Sequence, residues 1–129
     1  MVIDSSALMA ILRREPEEQD FRKAIKLAAS RLLSASTRVE VGIVALGRAG
    51  EAGLEQLQAL LDTLRVETVP VSADHADLAI DAFRRFGKGR HPAGLNFGDC
   101  FSYALAKATG EPLLFKGQDF SQTDIERAV

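Results

Sequence analysis

The sequence predicts an α/β fold with a mostly parallel central sheet. Two observations carry this expectation. Short leucine-rich or β-branched runs alternate with longer segments whose apolar residues recur at helical spacing. No internal repeat, low-complexity tract or linker-like stretch interrupts that alternation. Strands alternating with helices imply a parallel sheet covered by helices. The 129 residues match one domain, long enough to bury a sizeable core.

The elements follow in order. "MVI" is a short apolar strand. "DSSALMAILRRE" has Asp and Ser at the cap positions and an apolar run behind them, so it reads as a helix. Pro16 suits the first turn of a second helix, "PEEQDFRKAIKLAA", where acids come early and lysines late, as the helix dipole favours. "RLLSAS" is the second strand. "TRVEVGIVALGRAG" reads as a helix ending in a Gly-containing turn, and "EAGLEQLQALLDTL" spaces Leu54, Leu57, Leu60, Leu61 and Leu64 helically. "VETVPVS" is strand-like by its β-branched content. "ADHADLAIDAFRRF" is helical, and the basic, Gly-rich loop "GKGRHPAG" leads from it into the helix of "LNFGDCFSYALA". "EPLLFKG" is a buried strand, and the tail "TDIERAV" completes the set as an edge strand. The count is four or five strands.

Composition removes several classes of function. Hydrophobic content of 47% with 26% charged residues is that of an ordinary globular protein. A formal net charge of −2 and a pI near 5.7 exclude nucleic-acid binding through a global positive field, so any such binding needs a local basic patch. The single cysteine, Cys100, forms no internal disulfide and reads as a buried thiol. One Cys and two His are too few for a zinc site. "MVIDSSALMAIL" has no basic leader and carries an acid at position 4, so it is not read as a signal peptide. The apolar run "VGIVALG" is far too short for a membrane span. A cytoplasmic protein without membrane contact is expected.

In open parallel sheets, ligands sit outside the carboxyl ends of the strands. Four acids map to that edge: Asp4 after the first strand, Glu40 in the helix after the second, Asp99 in the first turn of its helix, and Asp119 after the last buried strand. Each has an ordinary role on its own: N-cap, solvated or Arg-paired Glu, dipole compensation (with Asn96 as the cap three residues earlier), and turn residue. Together they would repel one another within ~4–6 Å. A divalent cation relieves that repulsion, and carboxylates are the oxygen donors that Mg²⁺ and Mn²⁺ prefer. Ser5 and Ser6 have no adjoining base, so they read as capping or supporting residues rather than nucleophiles. A hydrolase using metal-activated water fits, and phosphodiester cleavage is the reaction that most needs it. Arg84, Arg85, Lys88 and Arg90 in "RRFGKGRH" are either a solvated helix end or a patch for substrate phosphates. No Walker A spacing is present.

The blocks "VIDSSALMAIL", "RVEVGIVALGR", "KGRHPAGLNFGDCFSYALA" and "PLLFKGQDFSQTDI" resemble PIN-domain ribonucleases, and more narrowly the VapC-type toxins of bacterial toxin–antitoxin pairs. The resemblance runs from residue 2 to about residue 125 and implies a single PIN-like domain over residues 1–129. It also implies a three-layer α/β/α fold on a mostly parallel five-stranded sheet, with an acidic cup at the carboxyl edge. The family's acids fall on Asp4, Glu40, Asp99 and Asp119, with Asp124 as the lesser alternative for the fourth. The Ser or Thr that usually follows the first Asp falls on Ser6, and Asn96 matches a polar residue near the metal site. Many relatives carry a further acid where this chain has Gln118. The implied activity is Mg²⁺- or Mn²⁺-dependent endonucleolytic cleavage of RNA by in-line attack of water, leaving a 5′-phosphate and a 3′-hydroxyl. The implied partners are the RNA, a second copy in a homodimer, and a cognate VapB-type antitoxin whose C-terminal segment blocks the cup. Two rival readings are a PIN-like module that binds without cutting, and a receiver-type phosphoacceptor domain. The second needs paired acids after the first strand, where this chain has "DSS"; only Lys116 suits it.

Overall fold

The structure, a computed structural model, describes residues 1–129. Its elements are β1 (Val2–Ile3), α1 (Ser5–Leu12), α2 (Glu18–Leu27), β2 (Leu32–Ser34), α3 (Ala35–Thr63), β3 (Glu67–Val69), α4 (Ala73–Phe86), α5 (Phe97–Thr109), β4 (Leu113–Leu114) and a closing 3-10 turn, Phe120–Gln122. The strands are short, but their order, β3-β2-β1-β4, is wholly parallel. Val2 stands opposite Leu32 on one side and Leu113 on the other.

The pleat sorts the apolar residues into two cores. Val2, Leu113 and Phe115 face Phe86, Tyr103 and Leu105 of α4 and α5. Ile3, Leu33 and Leu114 face Leu8, Ile25 and Leu61 of α1, α2 and α3. Alternate residues of one strand therefore serve opposite layers. Such double burial is why these strands read as continuous apolar runs. The result is the expected three-layer α/β/α arrangement.

Two details depart from expectation. The fifth strand is reduced to a one-residue parallel bridge between Arg127 and Leu113. The preceding segment is held by its own side chains: the Thr123 hydroxyl accepts from the Ile125 N–H at 3.2 Å and donates to the Phe120 carbonyl at 2.7 Å. Ladder pairing resumes only where the Leu113 N–H donates to the Glu126 carbonyl and the Ala128 N–H to the Leu113 carbonyl, both at 2.9 Å. The second departure is α2, which starts at Glu18, two residues after Pro16.

The helix ends follow their caps. Ser72 opens α4 by accepting from the His75 N–H at 3.1 Å. Gly110 closes α5 in the left-handed region, φ 70°. The 29-residue α3 is broken at Gly50, φ 61° and ψ −148°, a conformation essentially confined to glycine. The expected Gly-containing turn between two helical stretches falls on that residue.

Candidate active site

The ends of β1, β2 and β4 and the start of α5 bring the four acids to one edge of the sheet. Asp4 follows β1 in extended conformation and caps α1. It is 3% exposed, and a polar group so buried must be hydrogen-bonded. Its Oδ2 accepts from the Ser6 N–H at 3.0 Å and the Ser6 hydroxyl at 2.7 Å; its Oδ1 accepts from the Ser102 hydroxyl at 2.6 Å. Ser6 in turn accepts from the Lys116 N–H at 3.0 Å, which ties the end of β4 to the start of α1.

Asp99 lies in the first turn of α5. A capping box holds it: the Asn96 side chain accepts from the Asp99 N–H, and the Asp99 carboxylate accepts from the Asn96 N–H, both at 2.9 Å. Burial pushes the Asp99 carboxyl up, the Asn96 N–H opposes this, and the charges of Asp4, Asp119 and Glu40 add to it, giving a pKa of about 6. All three other acids predicted at this edge thus act on Asp99.

Glu40 reaches the site from α3 and is half-buried. Its carboxylate lies directly on Gly98, where a Cβ would overlap Oε2. Asp119 stands exposed just before the closing turn. As the side chains stand, no three of the acids chelate a common point, because Asp4 and Asp99 are turned onto donors of the chain itself.

Asp124 is elsewhere. Its carboxylate accepts from the Tyr103 hydroxyl at 2.7 Å and pairs with Lys107 at 2.7 Å and Arg85 at 3.3 Å. Desolvation alone would raise it, but the hydrogen bonds from Lys107 and Tyr103 and the charges of Lys107 and Arg85 prevail and hold it at about 2. Its expected role as an alternative fourth acid is therefore corrected: it staples the C-terminal segment onto α4 and α5. The same network commits Arg85, which also bonds Tyr103 at 3.2 Å and lies over the Phe86 ring, so it is not a free substrate contact. Arg84 pairs with Asp81 at 3.1 Å. Lys88 and Arg90 are exposed on a loop closed by the Gly87–Leu95 bridge, with the Arg90 Nε donating to the Arg84 carbonyl at 3.1 Å.

Cys100 is a bystander, as expected. Burial and the Asp99 charge push its thiol up to about 11, so it stays protonated, and it donates to the Asn96 carbonyl. Sequence reasoning missed Ser102 and Thr37, whose hydroxyls lie 3.3 Å apart at 0% and 1% exposure. The available signal was a polar residue on the buried face of each helix, three positions from an acid.

Comparison with known proteins adds the family. The PIN domain family matches residues 1–126. Ribonuclease VapC30 of Mycobacterium tuberculosis is 51% identical over 125 residues, 97% of this chain and 95% of that protein. The chain belongs to the VapC family of PIN-domain ribonucleases. Ribonuclease VapC of Mycolicibacterium smegmatis is also 51% identical, covering 97% of each chain. Among solved structures, the Mycobacterium tuberculosis VapC20 toxin, described as cleaving the sarcin-ricin loop, superposes with a TM-score of 0.75 at 17% identity, over 96% of this chain and 95% of that one. A chain of a Klebsiella pneumoniae toxin–antitoxin complex gives 0.72 at 17% identity, over 95% and 92%. These two carry the fold. Membership in the VapC family displaces the receiver-type reading, whose one supporting residue, Lys116, has its ammonium paired with Glu15 and Glu17. No helix of this VapC-family chain is long and apolar enough to cross a membrane.

Proposed function

We propose that this VapC-family chain is the toxin of a cytoplasmic toxin–antitoxin pair and an endoribonuclease that requires Mg²⁺ or Mn²⁺. The observation that supports it most is that Asp4, Glu40 and Asp119 all add like charge at Asp99, whose carboxyl is raised to about 6 by burial first and by those charges second. The donor set is all oxygen, which fits a hard divalent cation. Asp4 and Asp99 would hold the ion, with Glu40 and Asp119 completing the acidic set. When bound, the ion supplies positive charge at the phosphoryl oxygens and lowers the pKa of a water. Glu40, whose carboxylate lies against Gly98, would orient the attacking water. Arg84, Lys88 and Arg90 would contact RNA phosphates beside the cut, which leaves a 5′-phosphate and a 3′-hydroxyl.

Purified chain is expected to cut RNA with Mg²⁺ or Mn²⁺ and to stop in excess chelator. Its expression alone should arrest growth, with relief on co-expression of a cognate VapB-type antitoxin. Cutting that persists in chelator would refute the metal requirement. A folded chain that binds RNA or antitoxin but never cuts would establish the binding-only alternative.

Two apolar surfaces support the partner assignments. Val39, Ile43 and Leu46 form an exposed stripe on α3 beside Glu40, suited to an antitoxin segment that ends at the cup with a basic side chain. The groove between α4 and α5 is lined by Ile80, Phe83, Phe97 and Phe101, with Phe97 77% exposed. Exposed apolar patches of this kind mark interfaces, and we assign this one to the homodimer. Phe97→Glu should halve the solution mass in sedimentation equilibrium; an unchanged mass would refute that assignment.

A further inference from the structure

Ser102 and Thr37 lie outside the acidic set, yet they are among the least exposed polar side chains of the chain. Their geometry fixes the direction of a hydrogen-bond relay. Ser102 has one hydroxyl hydrogen, and the 2.6 Å contact to Asp4 Oδ1 uses it. Thr37, 3.3 Å from the Ser102 oxygen, must then be the donor in that pair. The relay runs Thr37 to Ser102 to Asp4, and each donation polarises the next.

The sequence positions give the relay its meaning. Thr37 precedes Glu40 by three residues on α3, and Ser102 follows Asp99 by three residues on α5. The matching arm on the other oxygen runs from the Lys116 N–H through Ser6, and Lys116 precedes Asp119 by three residues. The Asp4 carboxylate is thus bonded directly to Ser6 and to Ser102 of α5, and through these two hydroxyls it is linked to α3 and to the segment that carries Asp119. A carboxylate offers about four lone-pair sites. Ser6 fills two on Oδ2 and Ser102 fills one on Oδ1. The site left for a cation is on Oδ1.

We infer that Ser102 and Thr37 are positioning residues of this site: through Asp4 they set the distances among the three buried acid-bearing elements and select Oδ1 as the oxygen offered to the metal. This rests on the proposal that the acidic set binds a divalent cation. Partners that orient a metal ligand typically change metal affinity about 10–100-fold when lost.

The test is Mn²⁺ binding by calorimetry on the full chain, with thermal midpoints recorded without metal. Wild type is expected to bind. Ser102→Ala should weaken binding within that 10–100-fold range. Thr37→Val keeps the shape and removes the hydroxyl; it should weaken binding about tenfold, the low end of that range. Thr37→Ser, which restores the hydroxyl, should return it to within about twofold of wild type. Thr37→Val and Thr37→Ser carry the test if Ser102→Ala does not fold. A lowered midpoint with unchanged Mn²⁺ affinity in Ser102→Ala and Thr37→Val would overturn the positioning role while leaving the ribonuclease reading intact. A wild type that binds no Mn²⁺ overturns both.

Discussion

Asp99→Asn is expected to abolish metal-dependent RNA cleavage, by more than about 100-fold in kcat/KM, above the loss that changes to supporting residues cause. The chain should fold as before. Asn keeps the shape, and its side-chain oxygen can still accept from the Asn96 N–H, so the capping box of α5 survives. What disappears is the charge on which Asp4, Asp119 and Glu40 converge. Without metal that charge is a liability, so the variant should melt no lower than wild type at neutral pH. The same carboxyl gives the pH dependence. Its folded pKa of about 6 lies above its ordinary 3.8. The folded chain therefore holds a proton that the unfolded chain has released. Asp99's contribution to metal-free stability is present below about pH 4 and is lost as pH rises through about 6. Metal affinity runs the opposite way and rises across that window, because ligation needs the carboxylate. Thermal melts between pH 4 and 7 check this: wild type should lose stability with rising pH relative to Asp99→Asn. Parallel curves, or a variant that cuts RNA normally, would sink the assignment.

Gly98→Ala should separate stability from activity in the opposite sense to most helix substitutions. In the first turn of α5, alanine is a better helix former than glycine by about 0.8–1.0 kcal/mol. The new methyl, however, would occupy the space of the Glu40 carboxylate. That carboxylate ends a flexible side chain, so it can swing away without disturbing the backbone. The urea midpoint should hold or rise, while cleavage falls by roughly 100-fold, as misplacement of a reacting group by about 1 Å can cause. A double variant with Glu40→Gln settles the cause: if Gly98 acts only through Glu40, adding Gly98→Ala to Glu40→Gln costs little more than Glu40→Gln alone. Fully active Gly98→Ala would mean that the position of Glu40 is not what matters.

Much of this was legible in the chain before any coordinates. Short apolar or β-branched strands and capped amphipathic helices are local signals, so the alternation that defines the fold could be read directly. Asp4, Glu40, Asp99 and Asp119 could be placed because a parallel topology sends every strand end to one edge. What resisted reading was long-range pairing. Asp119 and Asp124 follow the same strand by a few residues, and only the closing turn, by presenting Asp124 to Lys107, Arg85 and Tyr103, separates them. Arg85 was indistinguishable from its basic neighbours until those partners were known. Thr37 and Ser102 are joined across 65 residues, and no local pattern marks a contact of that span. The fifth strand failed for a local reason, since Thr123 diverts the backbone before it can pair.

The break at Gly50 has a consequence for how one chain stays separate from another. Unbroken, the 29 residues of α3 would form a rod of about 44 Å, beyond the roughly 30 Å span of a small domain. Leu57, Leu60 and Leu61 would then be carried out of the core that Leu8 and Ile25 build with them. They could be buried only in a second molecule that had lost the same half-helix, which is the geometry of a domain swap. A single residue able to hold φ 61° makes the helix double back on its own sheet, so the hydrophobic core closes within the polypeptide that also carries Glu40.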